Sequence, residues 1–195
     1  MKTTDKIVKY YQEFPGVHSL KELEAIGGYP NLVRKLVDNG QLEEVARGLY
    51  RLSAQEEAEH ADLEAIAMAV PAGVFCLLSA LSYHNIGTAQ AFEYHLAIPK
   101  GKRSPQRPEF AIQSYQFGGR SYESGIEQYG KIKVYSIAKT VADCFRFRNR
   151  IGLDVALEAL KDVLRNKRAS VAELVDMAEA CRIKSVMMPY LESLI

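Results

Sequence analysis

Residues 19–52 carry the pattern that most restricts this chain: Ser-Leu-Lys-Glu-Leu-Glu-Ala-Ile-Gly-Gly-Tyr-Pro-Asn-Leu-Val-Arg-Lys-Leu-Val-Asp-Asn-Gly, then Gln-Leu-Glu-Glu-Val-Ala-Arg-Gly-Leu-Tyr-Arg-Leu. Ser19 and Glu22 have the spacing of a capping box, in which each side chain satisfies a free N–H at a helix start. Leu20, Leu23 and Ile26 follow as one apolar stripe. Gly27-Gly28 ends that helix and permits a sharp turn. Pro30 suits the first position of a second helix, where its missing N–H costs nothing, and Asn39-Gly40 closes it. Residues 42–46 and 49–52 read as short strands turning at Arg47-Gly48. The pattern predicts helix, turn, helix and a two-stranded wing.

The second helix separates into two faces. Leu32, Val33, Leu36 and Val37 form an apolar side, and Asn31, Arg34, Lys35 and Asp38 share the other at helical spacing. Asn and Arg match adenine and guanine edges in a major groove, and Lys suits a phosphate. A glycine at the wing tip lets the backbone approach a DNA strand, where Arg47 and Arg51 can meet phosphate or a minor groove. With Tyr29 at the turn, the candidate DNA-facing set is Tyr29, Asn31, Arg34, Lys35, Arg47 and Arg51. A solvated charged face, or a protein-binding helix–turn–helix, is the plainer alternative. Turn, polar face and wing agree on double-stranded DNA.

Charge is segregated. Residues 1–52 sum to +1, residues 53–99 to −6, residues 100–150 to +7 and residues 151–195 to −1, so the overall +1 conceals a basic segment. Its proline-interrupted run 100–108 (Lys-Gly-Lys-Arg-Ser-Pro-Gln-Arg-Pro) is expected to be a loop. Lys100, Lys102, Arg103 and Arg107, joined by Arg146 and Arg148, form a candidate second DNA contact; ion pairing with the acidic helices is the alternative for the arginines. The 195 residues show no secretory leader and no apolar run of membrane-spanning length. Cys76, Cys144 and Cys181 are widely separated and suggest reduced, buried thiols, so a cytoplasmic location is expected.

The expected organisation is α+β: a winged helix-turn-helix over 1–55, a junction without large apolar residues at 53–61, and a mixed α/β domain over 62–195 ending in several helices. A first helix over 4–14, capped by Thr4 and stopped by Pro15-Gly16, would complete the three-helix core. In the second domain, helices are expected over 63–70 and 79–85. Strands are expected over 74–77, 93–98, 109–115 (Phe110, Ile112 and Ser114 on one face) and 131–135. Further helices are expected over 137–150, 153–166, 170–181 and from 184 onward. Ser170 and Glu173 repeat the capping box.

Three stretches together resemble the AbiEi family, antitoxins of bacterial abortive-infection toxin–antitoxin pairs. They are Gly40-Gln-Leu-Glu-Glu-Val-Ala-Arg-Gly-Leu-Tyr50, Leu78-Ser-Ala-Leu-Ser-Tyr-His-Asn-Ile-Gly87, and Ala138-Lys-Thr-Val-Ala-Asp-Cys-Phe-Arg-Phe-Arg148 with Gly152-Leu-Asp-Val-Ala-Leu-Glu-Ala-Leu160. The resemblance extends over nearly the whole chain. It implies a winged-helix repressor of its own operon promoter, with inverted repeats as operator. It also implies a C-terminal antitoxin domain that neutralises a nucleotidyltransferase-like toxin without requiring a stable complex.

A nucleic-acid-processing enzyme targeted by a winged helix is the alternative. Ser79, His84 and Asp143 could be drawn as a triad, but Ser79 and His84 sit five apart on one short helix, and no nucleophile-elbow glycines surround the serine. Lys139-Thr140 mimics the end of a phosphate loop without its glycines; Lys139 is expected on a helix surface, paired with Asp143 four residues on. His18, His60, His84 and His95 have no metal-ligand spacing, so neither metal, cofactor nor catalytic residue is expected.

Overall fold

In the computed structural model, which describes residues 3–54 and 60–195, both capping boxes form. Ser19 and Glu22 start one helix, and Ser170 and Glu173 start another. The chain divides into two compact units, Met1–Pro71 and Ala72–Ile195.

The first unit runs α1 (Thr3–Glu13), β1 (His18–Ser19), α2 (Leu20–Ala25), α3 (Pro30–Asp38), β2 (Leu42–Ala46), β3 (Leu49–Leu52) and α4 (Ala61–Ala69). Thr4 lies inside α1 rather than capping it. The sheet order is β1-β3-β2, antiparallel throughout, with a bulge between Glu44 and Ala46. The two-residue β1 is too short to show an alternating pattern, and it converts the expected two-stranded wing into a three-stranded sheet. Ile7, Tyr11, Leu23, Val33, Leu36 and Leu42 form the core. Tyr11 spans it and donates from its hydroxyl to the Tyr50 carbonyl at 2.9 Å. Between α2 and α3 the backbone folds so closely that a Cβ on Gly28 would stand 2.9 Å from the Leu23 carbonyl oxygen and 3.2 Å from Ile7 Cδ1. That approach demands glycine.

The helix expected to open the second domain, α4, belongs instead to the first unit. Its Ala65, Ile66 and Ala69 are buried, it packs on β2 and β3, and its Glu64 carboxylate accepts from the Val17 N–H at 3.5 Å. Residues 55–59 of the expected junction lie outside the described residues.

The second unit is built on a five-stranded mixed sheet of order β6-β5-β4-β8-β7, comprising β4 (Val74–Phe75), β5 (Tyr94–Pro99), β6 (Ile112–Phe117), β7 (Ile126–Tyr129) and β8 (Ile132–Tyr135). β5 and β6 are parallel, as are β4 and β8; β4–β5 and β7–β8 are antiparallel. Its helices are α5 (Leu77–Tyr83), α6 (Arg120–Glu123), α7 (Ile137–Arg146), α8 (Arg148–Ile151), α9 (Leu153–Arg165), α10 (Val171–Ala180) and α11 (Lys184–Glu192). The hairpin strand β7 and the single turn α6 have no counterpart among the expected elements. In β6, Tyr115 and Phe117 are buried while Ile112 and Ser114 are half-buried, so the core side is opposite to the face expected from Phe110 and Ile112. The helix expected over 137–150 breaks at Phe147 into α7 and α8.

Helix α7 is the axis of this unit. Residues 138–145 are all buried, with α5, α9, α10 and α11 packed around it. Among the described residues no helix is long and apolar enough to cross a membrane.

Candidate functional site

The polar face of α3 is presented as its spacing predicts. Asn31, Arg34, Lys35 and Asp38 are on the outside of the helix, while Val33 and Leu36 enter the core. Tyr29, in extended conformation at the N-cap, is 56% exposed and precedes Pro30 at the first helical position. Arg47 is exposed at the tip of the β2–β3 hairpin, and Gly48 there has φ +74° with open space where a Cβ would stand. Glu44 holds this tip by accepting from the Gly48 N–H at 2.8 Å. Arg51 is already engaged: its Nε lies 2.8 Å from Glu43 Oε2 across the strand pair, and its side chain is 23% exposed. It stiffens the wing, and meeting a phosphate would require exchange of that partner. Thus Tyr29, Asn31, Arg34 and Lys35 come from one helix entry and face, and Arg47 from the hairpin tip.

The cations expected to form a second DNA contact divide into three groups. Lys102, Arg103 and Arg107 lie on the loop after β5, with their side chains exposed. Arg148 donates to the Phe145 carbonyl at 2.9 Å and so closes the α7–α8 break. Lys100 and Arg146 line one cleft of about 610 Å³, together with Arg120 and Arg182, which sequence spacing does not single out, and with Gly118, Gly119, Ser121 and Glu179. Arg146 is half-buried; it donates to Ser121 Oγ and its guanidinium lies 5.0 Å and 5.4 Å from the ring centres of Phe117 and Phe147. Arg150 stands over Tyr115 and Phe147 at 5.8 Å and 5.9 Å. Of the three arginines here, Arg146 and Arg150 are stacked on aromatic rings and Arg148 is bonded to the backbone; among the described residues none of them is ion-paired with the acidic helices held as the alternative. Arg120 carries a signal in the sequence, an arginine after the Gly118-Gly119 turn. Arg182 carries none beyond its place after a helix end.

Beneath the cleft lies a buried polar cluster. Lys139 and Asp143 are ion-paired on α7 with both side chains 0% exposed, which corrects the expected surface position of Lys139 while keeping its partner. The ammonium stands 3.9 Å from the Tyr135 ring centre and 4.8 Å from that of Phe117. Asp143 Oδ1 accepts from the Cys181 thiol at 3.4 Å. Burial pushes the Asp143 carboxyl above its usual range, and Lys139 and Cys181 pull it back. Burial likewise raises all three thiols, Cys181 to about 12, which disfavours the reactive thiolate at neutral pH.

The residues of the conceivable triad stay apart. Ser79 Oγ accepts from the His95 N–H at 2.8 Å, His84 Nε2 donates to the Tyr135 carbonyl at 2.7 Å, and Asp143 faces Lys139. Among the described residues no three His, Cys, Asp or Glu side chains converge as metal ligands.

Comparison of the sequence with protein-family models and with curated proteins gives no match. Among solved structures, the chain is similar to the RV2827C protein from Mycobacterium tuberculosis, with a TM-score of 0.64 and 11% identity over 99% of this chain and 82% of that one. At that identity the likeness concerns the fold.

Proposed function

We propose that the chain is a DNA-binding autoregulator with an antitoxin domain, of the kind its resemblance to the AbiEi family implies. The observation that carries the proposal is the exposed face of α3, where Asn31, Arg34 and Lys35 stand clear of the core, in a unit whose β2–β3 hairpin presents an exposed Arg47 at its tip. Such a helix fits a major groove with the wing against the neighbouring backbone. The DNA would be the promoter of its own operon, carrying inverted repeats. The second unit would neutralise a nucleotidyltransferase-like toxin in the cytoplasm. The competing reading, an enzyme acting on nucleic acid, is not favoured by the separation of Ser79, His84 and Asp143, each bonded elsewhere.

The test is a mobility shift on the DNA upstream of the coding region. Arg34→Ala should weaken specific binding by about 1–3 kcal/mol. Asn31→Ala should relax preference at one base pair, whereas Lys35→Ala should weaken all sequences alike. Unchanged shifts for all three proteins would remove α3 from the groove. Loss of protection against the toxin encoded alongside it is not expected for these variants, because the antitoxin role is assigned to the second unit.

A further inference from the structure

The cleft of the second unit has the properties of an anion site. It sits at the carboxyl ends of the parallel strands β5 and β6, where Pro99 pairs with Phe117 and the chain passes into Lys100 and Gly118. Crevices at that end of parallel strands are where open α/β sheets take their ligands. Four cations reach it from four places: Lys100 from the loop after β5, Arg120 from α6, Arg146 from α7 and Arg182 from the α10–α11 corner. The carboxylate in the lining, Glu179, is paired with Lys184 at 2.5 Å, and the charge of Arg120 helps Lys184 hold it ionised.

Arg146 is prepared for an anion. Stacking on Phe117 and Phe147 and the bond to Ser121 fix its guanidinium plane before any ligand arrives. A fixed guanidinium offers a two-pronged donor set at little entropic cost, which suits phosphate. Gly119 leaves open space where a side chain would stand, giving a ligand room beside the backbone. Arg182 adopts φ +58° at the end of α10, a left-handed conformation that favours glycine, so its replacement by glycine relieves the backbone while removing the cation.

We propose that this cleft binds a small phosphate-bearing anion, of the size of a diphosphate or a nucleoside diphosphate, with Arg146 as the fixed anchor and Lys100, Arg120 and Arg182 as exposed partners. A volume of about 610 Å³ accommodates such a ligand. Convergence of the cations on one concavity favours it over a nucleic-acid strand, whose phosphates require cations spread along a track. The site lies wholly in the second unit and is independent of the reading of α3.

Isothermal titration of the full chain with inorganic pyrophosphate and with ADP, at constant ionic strength, tests this. One saturable site is expected, with a thermal midpoint that rises as ligand is added. Arg182→Gly is the informative variant, because it relieves the left-handed backbone: its midpoint without ligand should equal or exceed that of the parent chain, while affinity falls about tenfold or more, as for loss of one charged hydrogen bond. Arg120→Gln should weaken binding similarly, and Arg34→Ala should leave it unchanged. Absence of saturable binding to the parent chain overturns the proposal, and so does full affinity in both Arg182→Gly and Arg120→Gln. If the two variants instead lose affinity for random-sequence duplex while pyrophosphate and ADP never bind, the cleft is part of a DNA-binding surface and the proposal fails.

Discussion

Lys139 shows what a single residue costs and contributes in this fold. A lysine fully removed from water survives only with a partner, and here it has Asp143 one helical turn on, two aromatic rings and a tight turn at Gly125 pressed against its stem. Breaking such a pair leaves one buried charge uncompensated, at a cost of about 3–5 kcal/mol. Asp143→Asn, which strands the lysine, should cost that much in denaturant titration. Lys139→Met should cost less, because the Asp143 carboxyl is already raised by burial and can take up a proton. The double variant Lys139→Met with Asp143→Leu should recover most of the loss. Equal, small effects in all three would mean that the pair is solvated. The i, i+4 spacing makes the pairing legible in the sequence; its burial is not, because α7 is wrapped on every side by elements distant in the chain. His95 gives a pH dependence of known sign. Burial lowers its pKa below the usual 6.5, so the unfolded chain binds its proton more readily than the folded one. Its contribution to stability is fully present above 6.5 and is lost as pH falls toward the lowered folded value, with a slope of at most about 1.36 kcal/mol per pH unit. The charge of Glu93 opposes the effect of burial by raising it. His95→Gln should flatten the stability profile in that window; an unchanged profile would show that another group carries it.

At the scale of elements, legibility follows local chemistry. Ser19, Gly28, Pro30 and Gly40 each dictate a backbone event within a few residues, and α2, α3 and the hairpin are placed by them. Two strands escape such a reading for different reasons: β1 exists only because His18 and Ser19 meet Tyr50 and Leu49 far along the chain, whereas β7 pairs locally with β8 across Gly130-Lys131 but is mostly exposed and so lacks an apolar alternation. The reversed face of β6 has the same long-range origin as β1, since Tyr115 and Phe117 find Phe147 across the core, a neighbour that alternation alone does not reveal. The α2–α3 turn is the element on which the proposed DNA contact depends. Gly28→Ala would push a methyl against the Leu23 carbonyl and Ile7. Overpacking of this kind costs about 1–3 kcal/mol, and it should tilt α3, so operator affinity should fall with stability. A variant of undiminished stability would show that the turn has slack.

At the scale of the whole molecule, the chain divides after Pro71 rather than within the polar stretch 53–61, because α4 has its own place on the first unit's sheet. The first unit, as far as residue 52, has nearly as many acidic as basic side chains, and Arg51 is already held by Glu43. Its net charge of +1 gives it little excess positive charge with which to neutralise phosphates, and non-specific affinity grows with the number neutralised. The proposed second DNA contact belongs to the loop of Lys102, Arg103 and Arg107, since Arg148 is bonded within the fold and Lys100 and Arg146 turn into the cleft. The full chain should therefore show a steeper fall of log affinity with log salt than residues 1–71, provided circular dichroism confirms that the fragment is folded. Replacing Lys102, Arg103 and Arg107 by Ser in the full chain should flatten the slope by about 0.9 for each phosphate that is no longer neutralised, with no change in base preference. Arg120→Gln, in the cleft, should leave that slope as it is. A triple variant with the full parental slope would assign the loop to another partner, and the acidic −6 segment of residues 53–99 marks the kind of surface it would suit.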